Sequence, residues 1–245
     1  MDAITLLYED NHILVCVKPI FMLSQADRSG KPDILSTLQQ MIKERDKKPG
    51  NVFLGLVHRL DMPVGGVMLF AKTSKAAKRL SEQFRQKDIQ KYYLAVTHGS
   101  LPDGPVYWKD FLSAKTKNGR YYTTDEAHGR PADLVAASLA KDPDRDLSLA
   151  HIRLLSGRSH QIRLQFASRD FPLLGDRRYG PDTAPDLATP SIALFAECLH
   201  FTHPVTKVQM EMRAEPVAAA FHPFRQHLSQ AALQVSADRL MQIPE

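Results

Sequence analysis

The sequence has only two cysteines, Cys16 and Cys198, in 245 residues. Each lies inside an apolar stretch, and no CxxC, HExxH or other metal-ligand spacing accompanies them. We therefore expect two small buried thiols, with neither a disulfide nor a metal site. A glycine-rich nucleotide-binding motif is also missing, so the sequence predicts no cofactor.

Long hydrophobic runs are absent as well. No apolar stretch approaches the roughly 20 residues of a membrane helix. The N-terminal MDAITLLYED lacks the basic and apolar regions of a signal peptide. With 43% hydrophobic and 24% charged residues, the composition is that of a globular protein with a sizeable core. We expect a cytoplasmic protein without a membrane partner.

The formal net charge of +5 is compatible with a nucleic-acid partner, although many basic proteins bind none. Basic residues recur in a loop that also carries aromatic residues, KTKNGRYYTTDEAHGR, which contains Lys115, Lys117 and Arg120. These three side chains are candidates for contacts with RNA phosphates. A solvated surface is the alternative interpretation, and the sequence does not favour either.

The order of hydrophobic patterns predicts an α+β fold with a mostly antiparallel mixed sheet and flanking helices. Helices are expected over 33–45, capped by Asp33, over about 74–87, capped by Thr73 or Ser74, and over 159–168, capped by Ser159. The apolar run VFLGLV predicts a central strand that ends at His58-Arg59-Leu60-Asp61. Further strands are expected over 4–8, 12–18, 67–72, 91–99, 105–114, 132–141, 147–155, 191–201 and 207–215. We expect one catalytic domain over 1–245, with a core at about 4–213 and a helical region at 214–245.

Two segments carry candidate chemistry. In LVHRLDMPVGG, Asp61 follows an apolar strand and precedes a turn, where a catalytic carboxylate is well positioned, although Asp also opens turns routinely. In LLSGRSHQIRLQFA, a helix start lies beside Arg158, His160 and Arg163 and could bind phosphate or carboxylate. The alternative for this second segment is an amphipathic helix whose arginines face water.

Taken together and in order, these segments resemble the RluA-type RNA pseudouridine synthases. HRLD at 58–61 with GGVMLFAK resembles the family signature, and KYYLAV at 91–96 resembles its K-x-Y-x-A-x-V strand. GRSHQIRLQFA at 157–167, LGDRRYG at 174–180 and LHFTHP at 199–204 resemble three further family motifs, the last in compressed form. The turn Val64-Gly65-Gly66 departs from the usual Thr-Ser-Gly.

The resemblance implies a pseudouridine synthase that needs no cofactor and acts on ribosomal or transfer RNA. Asp61 would be the catalytic carboxylate, as nucleophile at C1′ or as base at C2′, with Arg163 as its ion-pair partner. Tyr93 would stack on the uracil, and Arg59 would fill the space that the flipped base leaves. Arg158, His160 and Gln161 would serve the substrate or orient Arg163.

Two other functions stay open at this point. A glycosidase or another nucleic-acid enzyme would need a second carboxylate beside Asp61, and the motifs place none. A catalytically inactive RNA-binding protein could retain a synthase-like core. The chain begins directly at the synthase-like core, so we expect no separate N-terminal RNA-binding module, and we expect a monomer.

Overall fold

The structure, a computed structural model, describes residues 4–181 and 188–242. The chain divides into two units. The first unit comprises residues up to Gln90 together with Ala196–Ala214, and the second comprises Lys91–Phe195 with residues from Glu215 onward. Among the helices of the described residues, none combines the length and apolar character that crossing a bilayer requires.

The first unit builds its sheet in the order β1-β2-β4-β10-β11, with the short strand β3 paired to β4. Helices α1 and α2 begin at side-chain caps: the Asp33 carboxylate accepts from Ser36 N, and the Thr73 hydroxyl accepts from Ala76 N. Both predicted caps are confirmed. The elements are β1 (Thr5–Glu9), β2 (Ile13–Lys18), α1 (Ile34–Arg45), β3 (Gly55–Leu56), β4 (Gly65–Ala71), α2 (Ser74–Gln86), β10 (Leu194–Thr202, in this unit from Ala196) and β11 (Gln209–Arg213).

The second unit builds an antiparallel sheet in the order β5-β9-β8-β6-β7. Helix α4 packs against β8 and β9, where His151 Nδ1 and Ser236 Oγ are hydrogen-bonded at 2.9 Å. The predicted α+β class with a mostly antiparallel sheet is confirmed. The elements are β5 (Gln90–His98), β6 (Val106–Ser113), β7 (Thr123–Thr124), β8 (Gly129–Asp142), β9 (Leu147–Leu154), α3 (Gln161–Ala167), a 3-10 helix (Ala219–His227) and α4 (Gln230–Met241).

The predicted central strand VFLGLV is wrong in extent, because only Gly55 and Leu56 pair with β4. Side chains hold the chain after Leu56 instead of a strand ladder. His58 Nε2 accepts from Leu69 N at 3.0 Å, and its ring stacks on Phe84. The apolar run therefore leads into an irregular segment that carries residues 58–61.

Gly66 lies at the start of β4, where the backbones of β4 and β10 approach closely. Its φ is +129°, and an added Cβ would lie 2.5 Å from Ala196 N and nearer still to Ala196 O. Both the positive φ and the close approach of the Ala196 backbone therefore require glycine at this position.

We expect Gly66→Ala to destabilise the protein by more than about 2 kcal/mol, because a backbone atom cannot move aside as a side chain can. Gly30→Ala is the matched control, since Gly30 has φ +69° and nothing within 4 Å of an added Cβ. That control should show only the left-handed strain of about 1–2 kcal/mol. Urea denaturation of both variants measures the difference, and equal losses would contradict the steric account.

Candidate active site

The segment around Asp61 in the first unit is fixed through its backbone. The Ser24 hydroxyl donates to Leu60 O at 2.7 Å and accepts from Leu60 N at 3.0 Å. Val64 N donates to Asp61 O at 3.0 Å and closes the following turn. Leu60 is buried, Asp61 is half-buried and Arg59 is exposed. The carboxylate therefore lies at the edge of the core on a segment whose backbone has little freedom.

Lys18, at the end of β2, is a buried cation next to this segment. Its ammonium is fully inaccessible to solvent and donates to Pro19 O at 2.8 Å, Met22 O at 2.7 Å and Met62 O at 3.2 Å. Burial lowers the pKa of Lys18 to about 7, and the negative charge of Asp61 opposes this shift. Lys18 thus ties the residue after Asp61 to the loop after β2 and places a positive charge near the carboxylate.

In the second unit, a buried amide network shapes the turn before α3. Gln161 Oε1 accepts from Ser156 Oγ at 2.7 Å and from Arg158 N at 3.0 Å, while its Nε2 donates to Asp133 O and to Gln165 Oε1. Its side chain therefore holds the turn together. Arg158 is half-buried, and its Nε donates to Pro131 O at 2.9 Å.

The predicted Ser159 cap of α3 is wrong. The helix begins at Gln161, and the preceding residue, His160, has a left-handed backbone with φ +55° and makes no side-chain cap. Instead, the side chain of Gln161, the first residue of the helix, accepts a hydrogen bond from Arg158 N and closes the turn.

Arg163 forms a buried ion pair with Asp176 in its own unit. Its Nε and a terminal nitrogen donate to the two carboxylate oxygens at 2.8 and 2.6 Å, and both side chains are almost fully buried. Asp176 Oδ1 also accepts from the backbone N–H groups of Arg178 and Tyr179. This bidentate geometry fixes the guanidinium plane.

Tyr179 joins several parts of this site. Its hydroxyl lies 2.8 Å from His160 Nδ1 and accepts from Tyr121 N at 3.0 Å, and the Arg163 guanidinium lies 5.2 Å from its ring centre. Burial raises the pKa of Tyr179. Because Tyr121 lies within the basic loop, directly after Arg120, that loop is anchored at the same point as Arg163. Lys115, Lys117 and Arg120 themselves are exposed.

Tyr92 and Tyr93 on β5 are both buried, at 1% and 8% exposure. Tyr92 is the more deeply buried of the two, and its ring contacts His151 at 5.5 Å between centres. This contact gives Tyr92 the packing role of a core aromatic residue.

The proposed site residues thus form two sets. Arg59 and Asp61 share one segment of the first unit, whereas Tyr93 and the groups around α3 and the basic loop belong to the second. From the sequence, neither Lys18 nor Ser24 is predicted to belong to the site, and Asp176 and Tyr179 have no predicted role. A lysine that ends an apolar run just before a proline was the available signal for Lys18.

One cluster of possible metal ligands occurs in the described part of the chain: atoms of Cys198, His200 and Glu211 lie within 4.8 Å of one another. The Glu211 carboxylate, however, accepts from Arg213 at 2.9 Å, so a cation already lies against it. Both cysteines are buried as predicted, and burial raises the pKa of their thiols, to about 12 for Cys16.

Because the Lys18 ammonium is buried, we predict that the free energy of unfolding depends on pH. The folded protein releases this proton near pH 7, whereas the unfolded chain holds it up to about 10.5. The cost of burying the charge is therefore fully present below pH 7 and is relieved as pH rises above it. Relative to Lys18→Met, which cannot titrate, the wild type should gain unfolding free energy from pH 7 to 10, by at most about 1.4 kcal/mol per pH unit. Urea denaturation at several pH values measures this, and parallel pH profiles would contradict it.

Comparison with known proteins identifies the family of this chain. A family model described as RNA pseudouridylate synthase matches residues 12–168. The dual-specificity RNA pseudouridine synthase RluA of Pasteurella multocida is 31% identical over 211 residues, covering 86% of this chain and 92% of that protein. The ribosomal large subunit pseudouridine synthase D of Xanthomonas campestris is 33% identical over 229 residues, covering 89% and 65%.

Solved structures show the same fold. The human RNA pseudouridylate synthase domain containing 1 superimposes with a TM-score of 0.73 at 20% identity, covering 100% of this chain and 97% of that chain. The sequence relationships, the matched family region and this fold agree with one another. The chain therefore belongs to the RNA pseudouridylate synthase family, within its RluA group, and is an isomerase that acts on RNA.

Proposed function

We propose that this enzyme converts specific uridines of ribosomal or transfer RNA to pseudouridine, with Asp61 as the catalytic carboxylate. The observation that carries the proposal is the double fixation of the Asp61 segment, since Ser24 binds Leu60 on one side and Lys18 binds Met62 on the other. The names of the relatives, a dual-specificity RNA pseudouridine synthase and a ribosomal large subunit pseudouridine synthase, support RNA, and ribosomal RNA in particular, as the substrate.

The reaction breaks the bond between C1′ and N1 of uridine, turns the base and forms a bond between C1′ and C5, while the C5 proton is lost and N1 gains one. An ionised carboxylate at the sugar serves either as nucleophile at C1′ or as base at C2′. Both routes require an ionised carboxylate, and Lys18 lies near enough to Asp61 for their charges to interact.

The other site residues have distinct proposed roles. By family resemblance, Arg163 is the proposed counter-charge of Asp61, and its ion pair with Asp176 fixes the orientation of its guanidinium. Tyr93 stacks on the flipped uracil. Arg59, exposed next to Asp61, fills the space that the base leaves. Taking the base out of its stack costs a few kcal/mol.

Backbone phosphates are the proposed partners of the exposed basic loop and of the turn around Arg158 and His160. Gln161 contributes by holding that turn, since its amide is engaged within the protein. Tyr179 connects the loop to the same turn, so the phosphate contacts rest on an anchored backbone.

The direct test uses RNA labelled with tritium at C5 of uridine, transcribed in vitro as 23S ribosomal RNA and as a transfer RNA pool. Pseudouridine formation releases the label, so the purified protein should release tritium from at least one of them. Binding of RNA without any release would favour a catalytically inactive RNA-binding protein. Comparing the pseudouridine positions of total RNA with and without the gene then identifies the uridine.

The Arg163–Asp176 pair allows structure and chemistry to be separated. Arg163→Met alone should cost about 3–5 kcal/mol of stability, because Asp176 is left as an unpaired buried charge. The double variant Arg163→Met with Asp176→Asn removes both charges and should recover most of that stability.

Tritium release by the double variant should nevertheless stay at least about 100-fold below wild type, since the guanidinium proposed to act beside Asp61 is lost, although Lys18 remains as a cation near it. A stable double variant with wild-type rate would show that Arg163 is purely structural.

The basic loop is tested by the salt dependence of RNA binding. Lys115→Ala with Lys117→Ala should reduce the magnitude of the slope of log affinity against log salt by about 1.4–1.8, since each phosphate contact contributes about 0.7–0.9. Lys75→Ala with Lys78→Ala, two exposed lysines on α2, is the charge-matched control. If both pairs change the slope equally, the loop has no special role.

A further inference from the structure

Phe21 combines two unfavourable features in one residue. Its backbone is left-handed with φ +61°, and its side chain is 48% exposed. A non-glycine residue is strained in this conformation, and an aromatic ring gains little by facing water. Neither the left-handed backbone nor the exposed half of the ring stabilises the fold. Strain of this kind persists only where the surrounding structure imposes it, and it is a reason to look for a function.

The surroundings of Phe21 do impose it. Lys18 Nζ binds the carbonyls of Pro19 and Met22, one on each side of Phe21, and the Met22 side chain is buried. Two residues further on, Leu23 exchanges backbone hydrogen bonds with Pro32 and Ile34. The ring is therefore held on a rigid turn rather than on a mobile loop.

The same turn is tied to the neighbours of Asp61. Lys18, three residues before Phe21, donates to Met62 O, and Ser24, three residues after it, binds both backbone groups of Leu60. Phe21 thus lies midway between the two residues that hold the Asp61 segment. Its turn is bonded to that segment on both sides of the proposed catalytic carboxylate.

We propose that the Phe21 ring is a stacking platform for an unpaired nucleobase of the substrate RNA next to the target uridine. This rests on the proposed function of Asp61. Proteins that bind unpaired RNA stack bases on exposed aromatic rings, and each stack strengthens binding by about 10-fold. Because the turn that carries the ring is hydrogen-bonded to the residues on both sides of Asp61, we expect it to select RNA whose flanking base is also unstacked.

The backbone strain at Phe21 allows stability and RNA binding to be separated by one substitution. Phe21→Gly removes the ring and relieves the strain of the left-handed conformation, so it should raise the melting temperature by about 2–4 °C. It should also lower kcat/KM for the tritium-labelled 23S and transfer RNA transcripts by about 10-fold through KM. The single-turnover rate at saturating enzyme should not change. Phe21→Leu should lose as much affinity without gaining stability, and Phe21→Trp should bind as well as wild type.

Phe53→Leu is the matched control, since Phe53 is an exposed aromatic residue of the same unit, 52% exposed. It should leave kcat/KM unchanged. A more stable Phe21→Gly protein with wild-type kcat/KM would overturn the proposal, and so would a loss confined to the single-turnover rate.

Filter binding of the same transcripts tests the stacking platform separately from catalysis. If the wild type binds RNA without releasing tritium, the proposed function fails, while a 10-fold affinity loss in Phe21→Gly would still support stacking.

Discussion

The path of the Asp61 segment depends on the hydrogen bonds that the buried Lys18 ammonium donates. One side chain binds three carbonyls from two chain segments that lie about 40 residues apart in sequence. Without it, three carbonyls would be left unpaired near the core, which is costly. The same charge lies near Asp61, so a single lysine contributes both to the path of the backbone and to the electrostatics of the carboxylate.

The second unit uses a different device for a similar purpose. Asp176 accepts two hydrogen bonds from Arg163 and two from the backbone, which fixes a guanidinium at the start of α3. Tyr179 links this arrangement to the basic loop through Tyr121. Contacts that the loop makes with RNA phosphates would therefore bear on the same residues that orient Arg163. Under the proposed function, RNA binding by the loop and the orientation of Arg163 therefore depend on the same contacts in this unit.

Features set by local sequence could be predicted, and features set by distant partners could not. The caps Asp33 and Thr73 follow from a polar side chain just before a helical pattern. The failure of the strand at VFLGLV depends on Ser24 and His58, whose hydrogen bonds span 36 and 11 residues. The roles of Lys18 and Asp176 likewise depend on which groups meet in space. The family motifs located the candidate site, but they did not indicate what holds it.

The most direct test of the account is the single-turnover rate of tritium release by Asp61→Asn, measured with saturating enzyme on the RNA that the wild type modifies. We expect the rate to fall by at least about 100-fold with RNA affinity unchanged, because asparagine keeps the shape of the side chain and loses its charge. Asp27→Asn, at an exposed position of the same unit, should behave as wild type. An Asp61→Asn rate within tenfold of wild type would contradict the assignment of the catalytic carboxylate.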